Sequence, residues 1–449
     1  MNPWPAMAAV LALLSAAMLG VRRASRKFAW HPELSRKAIH VFMGLVCLTF
    51  PWVFHSSWPV WLLAGLSAAG LAAVRSLPAL RKRLGGVLGG VERQSWGELL
   101  YAPSVAFVFW LARGDALSYL VPVLVLALAD AAGALIGRRY GFVRYETDDG
   151  VKSLEGSSGF FLTAFMATHI PLLLWTPVGR LESILISVVM GLLLMMIEAI
   201  AWRGLDNLFV PLVTYICWVR MLPLSASQLY GRLAVLVTLL AQLAFWRRFT
   251  RFTRSAMIGA TLVLYVSWAV GKNLWLIAPL STLFGYTLLC RGTVSNPKPH
   301  TVHTIAWIGG TGLFWLCLAE VTGTVNTIYA YGVGYACHLG MIALVYFADE
   351  RRGLGIPHAT VKAVAAGFII PAVPGVIVWR ENPNVWKLTA WALLLIITSV
   401  TAFGWVQPSL QNGPSNGGRW VRQGLIAAVA SAIAFAIISI IEPWSTSFE

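Results

Sequence analysis

Asp130 lies about two turns inside an apolar run that ends Leu-Ala-Asp130-Ala-Ala-Gly133-Ala-Leu-Ile-Gly137-Arg138-Arg139-Tyr140-Gly141. A lone carboxylate there costs a few kcal/mol in a lipid setting, so it requires a cation or a partner. Gly133, Gly137 and Gly141 recur every four residues and leave one bare helical stripe. Such a stripe is a common packing surface between membrane helices. It equally lets a ligand approach the backbone. The segment that follows favours the ligand. Lys152-Ser153-Leu154-Glu155-Gly156-Ser157 opens the next apolar run. A lysine and small residues ahead of a helix N-terminus suit phosphate oxygens. Glu155 is suited to a magnesium ion that bridges phosphates.

Two further constellations carry polar chemistry. Arg36-Lys37-Ala-Ile-His40-Val-Phe-Met-Gly44 opens an apolar run. Arg36 and His40 are one helical turn apart and share a face that can meet a phosphate or a hydroxyl headgroup. The alternative is a basic anchor with one interfacial histidine. The third segment is Glu198-Ala-Ile-Ala-Trp202-Arg203-Gly204-Leu205-Asp206-Asn207-Leu-Phe-Val-Pro211. Asp206 is placed to cap a helix. Glu198, Asp206 and Asn207 together also suit a magnesium–nucleotide site. Ser95-Trp96-Gly97-Glu98 adds a weaker acid at a helix start.

The elements that hold these residues are apolar helices. The 449 residues are 58% hydrophobic and only 12% charged, with mean hydropathy +0.72. Soluble domains carry about 25% charged residues. Runs of 17–24 apolar residues recur, each long enough to cross a hydrocarbon core about 30 Å thick. Spans are expected near 4–20, 38–55, 57–75, 97–113, 117–137, 157–175, 181–202, 205–222, 229–246, 256–271, 273–290, 303–321, 325–347, 360–380, 386–406 and 424–442. In lipid the backbone must satisfy itself, so the fold class is all-α, a polytopic transmembrane bundle of about 14–16 spans. The first run has its basic cluster after it, which reads as a first span rather than a cleaved signal.

The net charge of +16 sits in short loops between runs. This reads as membrane topology and lipid headgroups, and not as nucleic-acid binding. Arg22, Arg23, Arg26, Lys27, Arg36 and Lys37 separate the first two runs. Arg75, Arg81, Lys82, Arg83 and Arg93, then Arg138, Arg139, Arg144 and Lys152, then Arg247, Arg248, Arg251 and Arg254, then Arg351 and Arg352 follow at later turns. All share one side if the N-terminus is outside, and that side is then cytoplasmic. The five cysteines stand singly without C-x-x-C spacing, which supports neither a zinc site nor a disulfide framework.

Four of these segments, in their order along the chain, resemble the phytol kinase/dolichol kinase family. They are Arg36-Lys37-x-x-His40, Asp130-Ala-Ala-Gly133-x3-Gly137-x3-Gly141, Lys152-Ser-Leu-Glu155-Gly156-Ser and Gly204-Leu-Asp206-Asn207-x3-Pro211. The resemblance covers about residues 30–220. It implies a membrane kinase that moves a phosphoryl group from CTP, or ATP, to the hydroxyl of an isoprenoid alcohol such as phytol, geranylgeraniol or a polyprenol. On that reading Gly133, Gly137, Arg138, Gly141, Lys152, Ser153 and Gly156 bind the nucleotide. Asp130, Glu155, Glu198 and Asp206 hold Mg2+. Arg36, Lys37, His40 and Asn207 meet substrate or phosphate, and Asp130, Lys152, Glu155 and His40 are catalytic, with the general base unassigned. The active site would face the cytoplasm, in a bacterial-type cytoplasmic membrane.

Residues 1–222 are expected to form this kinase-like domain, and residues 223–449 a further polytopic domain. The second half has no N-x-x-x-D or D-x-x-x-D pair. Its His300 and His303 read as an interfacial loop, and Glu320 is its acid within a span. Neither its role nor an oligomeric state is legible. Two other activities fit parts of the pattern. A cytidylyltransferase would use the same CTP–magnesium residues on a lipid phosphate. A transporter would use Asp130, Glu198 and Glu320 as ion sites, but transporter sites lie at the midplane of two repeats, whereas these polar residues gather at one face.

Overall fold

The computed structural model describes residues 2–77, 96–148, 150–246, 248–290, 300–348, 355–378, 380–407, 410 and 417–442. Arg81, Lys82, Arg83, Arg93, Ser95, Asp149, Arg247, Asp349, Glu350, Arg351 and Arg352 lie outside the described residues. The protein is an all-α polytopic helical bundle and an integral, multi-pass membrane protein. Among the described residues eleven helices are long and apolar enough to cross a membrane. The chain packs as two compact units, Met1–Ala234 and Val235–Glu449.

The first unit contains α1 (Pro3–Lys27), α2 (Pro32–Cys47), the single turn α3 (Phe50–Val53), α4 (Trp58–Ser76), α5 (Gly97–Ala112) and α6 (Ala116–Tyr140). A hairpin of β1 (Arg144–Thr147) and β2 (Gly150–Ser153) follows, then α7 (Leu154–Trp175), α8 (Arg180–Ile200) and α9 (Asp206–Met221). Helix α6 is the hub, packed on α2, α5, α7 and α9. Its start is fixed by Asp115, whose carboxylate accepts from the N–H groups of Leu117 at 3.2 Å and Ser118 at 3.3 Å. These are two of the donors that every helix N-terminus leaves unpaired.

Helix α10 (Ala226–Trp246) leads into the second unit, which continues with α11 (Arg254–Cys290), α12 (Val302–Thr322), α13 (Thr327–Phe347), α14 (Ile356–Val378), α15 (Val385–Val406) and α16 (Gly417–Ile441). Helix α13 is the centre of this unit, with α11, α12, α14, α15 and α16 around it.

The helices follow the expected runs with physical exceptions. The 38–55 run divides after Cys47, because Pro51 has no N–H to donate to the Cys47 carbonyl four residues earlier and its ring crowds that carbonyl. Helix α2 instead starts six residues earlier, at Pro32, with the His31 ring accepting from Glu33 N–H at 3.1 Å. The runs 256–271 and 273–290 merge into α11, which is non-helical at Lys272 (φ 64°, ψ −160°). The expected polar loop after α6 is a hairpin, with Tyr145 paired to Lys152. Tyr145, Thr147 and Val151 favour extended backbone, and Gly150 supplies the turn's φ of +127°.

Candidate functional site

The buried Asp130 finds its partner on α2. Lys37 Nζ lies 2.6 Å from Asp130 Oδ2, with 3% and 11% of the side chains exposed. His40, one turn deeper, places Nε2 2.9 Å from the Leu126 carbonyl and 3.5 Å from the same Asp130 oxygen. Its ring stands edge-on to Tyr101, with centroids 4.8 Å apart. The segment Arg36-Lys37-x-x-His40 and Asp130 are therefore one cluster at the α2–α6 contact.

The hairpin carries Lys152 to α8. Lys152 Nζ lies 2.7 Å from Glu198 Oε1 and also donates to the Glu198 carbonyl. Burial alone would lower the pKa of this ammonium. The adjacent Glu198 carboxylate outweighs it and holds the group above its ordinary value. The hairpin is tied down by the Tyr145 hydroxyl, 2.6 Å from Ser157 Oγ on α7. Ser153 caps α7, accepting from Gly156 N–H at 3.1 Å.

The glycine stripe of α6 is a packing surface against α7. A Cβ on Gly133 would lie 3.2 Å from the Gly156 carbonyl oxygen, and one on Gly137 would lie 3.2 Å from Gly156 Cα. Gly141 packs against Ser153. Gly133 and Gly137 also line the cavity described below, whereas Gly141 does not. Glu155, expected to hold a metal ion, instead accepts from Val143 N–H at 3.1 and 3.3 Å and lies off the cavity wall. The hairpin's return to α7 leaves that N–H without a strand partner, and the nearby helix-start carboxylate takes it.

The turn from α8 to α9 uses left-handed backbone at Arg203 (φ 52°) and Gly204 (φ 84°). The Arg203 carbonyl accepts from Trp96 N–H at 2.7 Å, which fixes the start of α5 beside this turn. Asp206 and Asn207 then open α9. Asn207 is 5% exposed, and its Oδ1 has no hydrogen-bond partner among the described residues. A buried acceptor left this way costs about 1–3 kcal/mol.

All of these elements border one cavity of about 540 Å³, the range of a nucleotide-sized ligand. Its wall carries Arg36, Lys37, Arg75, Arg138, Arg144 and Lys152 against Glu33, Glu98, Asp130, Glu198 and Asp206. Four of these carboxylates are in ion pairs: Glu33–Arg36, Glu98–Arg75, Asp130–Lys37 and Glu198–Lys152. Asp206 is in none among the described residues. Arg138 bonds the His31 ring, and Arg144 Nε donates to the Gly141 carbonyl at 3.3 Å. The wall thus holds one more cation than anions, an arrangement suited to a polyphosphate. Ser153, Gly156 and Asn207 complete it. His40 lies behind Asp130 and off the wall.

Among the described residues no three His, Cys, Asp or Glu side chains converge as a metal cage. Magnesium carried on phosphates needs only one or two protein carboxylates, because it keeps waters and phosphate oxygens as its other ligands. Asp206 beside the Asn207 oxygen fits that requirement.

Glu33, Arg75 and Arg144 also line the cavity, although sequence alone gave them no chemical role. Glu33 stands three residues before Arg36, a spacing that signals a helical ion pair. Arg75 and Arg144 read only as basic loop residues. In the second unit His300 sits in a loop, its ring 5.3 Å from that of Trp420 and 5.6 Å from that of Tyr286. Burial, with Arg419 and Arg251 nearby, pushes its pKa down to about 3, so it is neutral. Cys47, Cys217 and Cys337 are buried free thiols, and Cys317 is free and exposed.

A curated protein named phytol kinase, from Synechocystis sp., is 30% identical to the chain over 212 residues. The match covers 46% of this chain and 88% of that relative. No protein-family profile matches the chain, and no solved structure matches it.

Proposed function

The chain belongs to the phytol kinase family, and from that premise we propose that it transfers the terminal phosphoryl group of CTP to the hydroxyl of an isoprenoid alcohol dissolved in the bilayer. One observation carries the reading. Four polar segments spread from Arg36 to Asn207 line or back a single cavity among apolar helices. A soluble nucleotide and a membrane alcohol can meet there. The basic loops beside these helices support a cytoplasmic placement of the cavity.

Lys152, Arg138 and Arg144 bind the phosphates, with Ser153 and Gly156 at the start of α7 beneath them. Asp206, with Glu198 and Asn207, would hold Mg2+. The ion supplies neutralisation of phosphate charge. Asp130 accepts a hydrogen bond from the alcohol's O–H and takes its proton as the oxygen attacks the γ-phosphorus. The new O–P bond forms as the bond from that phosphorus to the β–γ bridging oxygen breaks, and CDP leaves. Lys37 beside it and His40 behind it position Asp130. Phosphoryl transfer asks little more of a protein than this placement and charge stabilisation.

The test is a purified-protein assay with magnesium, labelled CTP or ATP, and phytol, geranylgeraniol, farnesol or a polyprenol. The expected products are a prenyl monophosphate and the nucleoside diphosphate. Release of pyrophosphate with a CDP-lipid would replace kinase by cytidylyltransferase. No transfer to any alcohol would defeat the reading.

A further inference from the structure

Two arginine–carboxylate pairs line the cavity, and they differ in how fully the carboxylate is engaged. Arg36 and Glu33 share two hydrogen bonds, Nε to Oε2 at 3.1 Å and Nη2 to Oε1 at 2.6 Å. Both carboxylate oxygens are engaged within one helix. Arg75 and Glu98 come from α4 and α5 and share one hydrogen bond, Nη2 to Oε2 at 3.2 Å. Glu98 Oε1 accepts no hydrogen bond among the described residues. Arg75 is 39% exposed and Glu98 20% along their side chains, which puts this pair near the cavity mouth.

Resting on the CTP-dependent kinase reading, we propose that Glu98 and Arg75 read the nucleotide base and select cytosine. The pairing edge of cytosine is a donor followed by two acceptors: the N4 amine, N3 and O2. A carboxylate accepts from the amine, as acidic side chains do with cytosine elsewhere. The guanidinium fork donates to the two acceptors. Uracil carries O4 in place of the amine and N3–H in place of the acceptor. Its O4 faces the carboxylate acceptor to acceptor, and its N3–H faces the guanidinium donor to donor. Adenine offers one acceptor to the fork instead of two. The other cavity pairs present lysine, a point charge without a fork, or the closed Glu33–Arg36 pair. The phosphate-binding groups Lys152, Arg138 and Arg144 come from α6 and the hairpin, leaving the α4–α5 side of the same cavity for the base.

The test is the ratio of kcat/KM for CTP to that for UTP, with one prenol acceptor. The wild type is expected to favour CTP by roughly tenfold or more, the scale of two opposed base contacts. Glu98→Gln, whose amide can donate to O4, should collapse that ratio mainly by raising UTP use. Glu33→Gln should leave the ratio unchanged. If Glu98→Gln does not accumulate, Arg75→Gln serves in its place and should also lower the ratio, by weakening CTP more than UTP. A wild type that uses CTP and UTP equally would overturn the proposal, as would a retained preference in the variant that is assayed. Either result leaves the kinase reading standing. A wild type that transfers phosphate from no nucleotide defeats the kinase reading itself.

Discussion

Lys37 on α2 and Asp130 on α6 form a buried ion pair at 2.6 Å across 93 positions of sequence. Each charge is tolerable in an apolar bundle because the other is there. Removing one partner leaves an uncompensated buried charge, which costs about 3–5 kcal/mol, whereas apolar replacement of both is often neutral. Lys37→Met and Asp130→Asn should each lower the thermal unfolding midpoint in detergent. The double variant Lys37→Met/Asp130→Leu should recover most of that loss while remaining inactive as a kinase. A double variant as unstable as the two single losses combined would show that the residues are not coupled.

A second expectation concerns the α6–α7 seam. A Cβ on Gly156 would stand 2.9 Å from both the Gly133 carbonyl oxygen and Gly137 Cα. These are backbone atoms and cannot swing aside. Gly156→Ala should destabilise the first unit by about 1–3 kcal/mol, the usual range for overpacking. Because the hairpin ends and α7 begins at Ser153, activity should fall with it. Gly65→Ala on α4 is the control, since nothing lies within 4 Å of its added Cβ. There the better helix propensity of alanine should stabilise slightly. Equal melting behaviour of the two variants would remove the seam as a constraint.

The contrast between these positions marks what sequence can show. Asp130 announces itself because no apolar helix carries a bare carboxylate without reason, and the apolar run lengths alone dictate helices. The glycine stripe at i+4 is also visible, but its occupant is not. A bare helix face looks the same whether a ligand or α7 lies on it, and Gly156 decides for α7. Lys152 and Glu198 stand 46 positions apart, and nothing local pairs them. Glu155 reads as a metal ligand from its motif, yet a backbone N–H created by the hairpin claims its oxygens. Such pairings are set by how the chain returns on itself, which spacing does not encode.

The Lys152–Glu198 pair sets a pH dependence. The Glu198 carboxylate raises the Lys152 pKa above its ordinary 10.5 despite burial. A cation with a raised folded-state pKa contributes stability that is fully present below its unfolded value and is lost as pH rises through the folded value. The stability difference between wild type and Lys152→Met should therefore be constant from neutral pH to about 10 and shrink above that. Unfolding midpoints measured across pH 7–11 check it. A difference that instead vanished on acidification from pH 9 to 7 would refute the assignment.

Asp206 is the cavity carboxylate outside any ion pair among the described residues, and beside it Asn207 Oδ1 lacks a donor. Both conditions favour a cation arriving with the nucleotide. Chelation should abolish kinase activity, and added magnesium should restore it. Asp206→Asn should raise the magnesium concentration for half-maximal activity by at least about tenfold, the scale on which metal-site changes act. The KM for the alcohol should stay unchanged. Glu155→Gln should not move the magnesium requirement, because its carboxylate serves Val143 N–H. The opposite pattern, a shift with Glu155→Gln and none with Asp206→Asn, would return the metal to the start of α7 and require the hairpin to release that carboxylate during turnover.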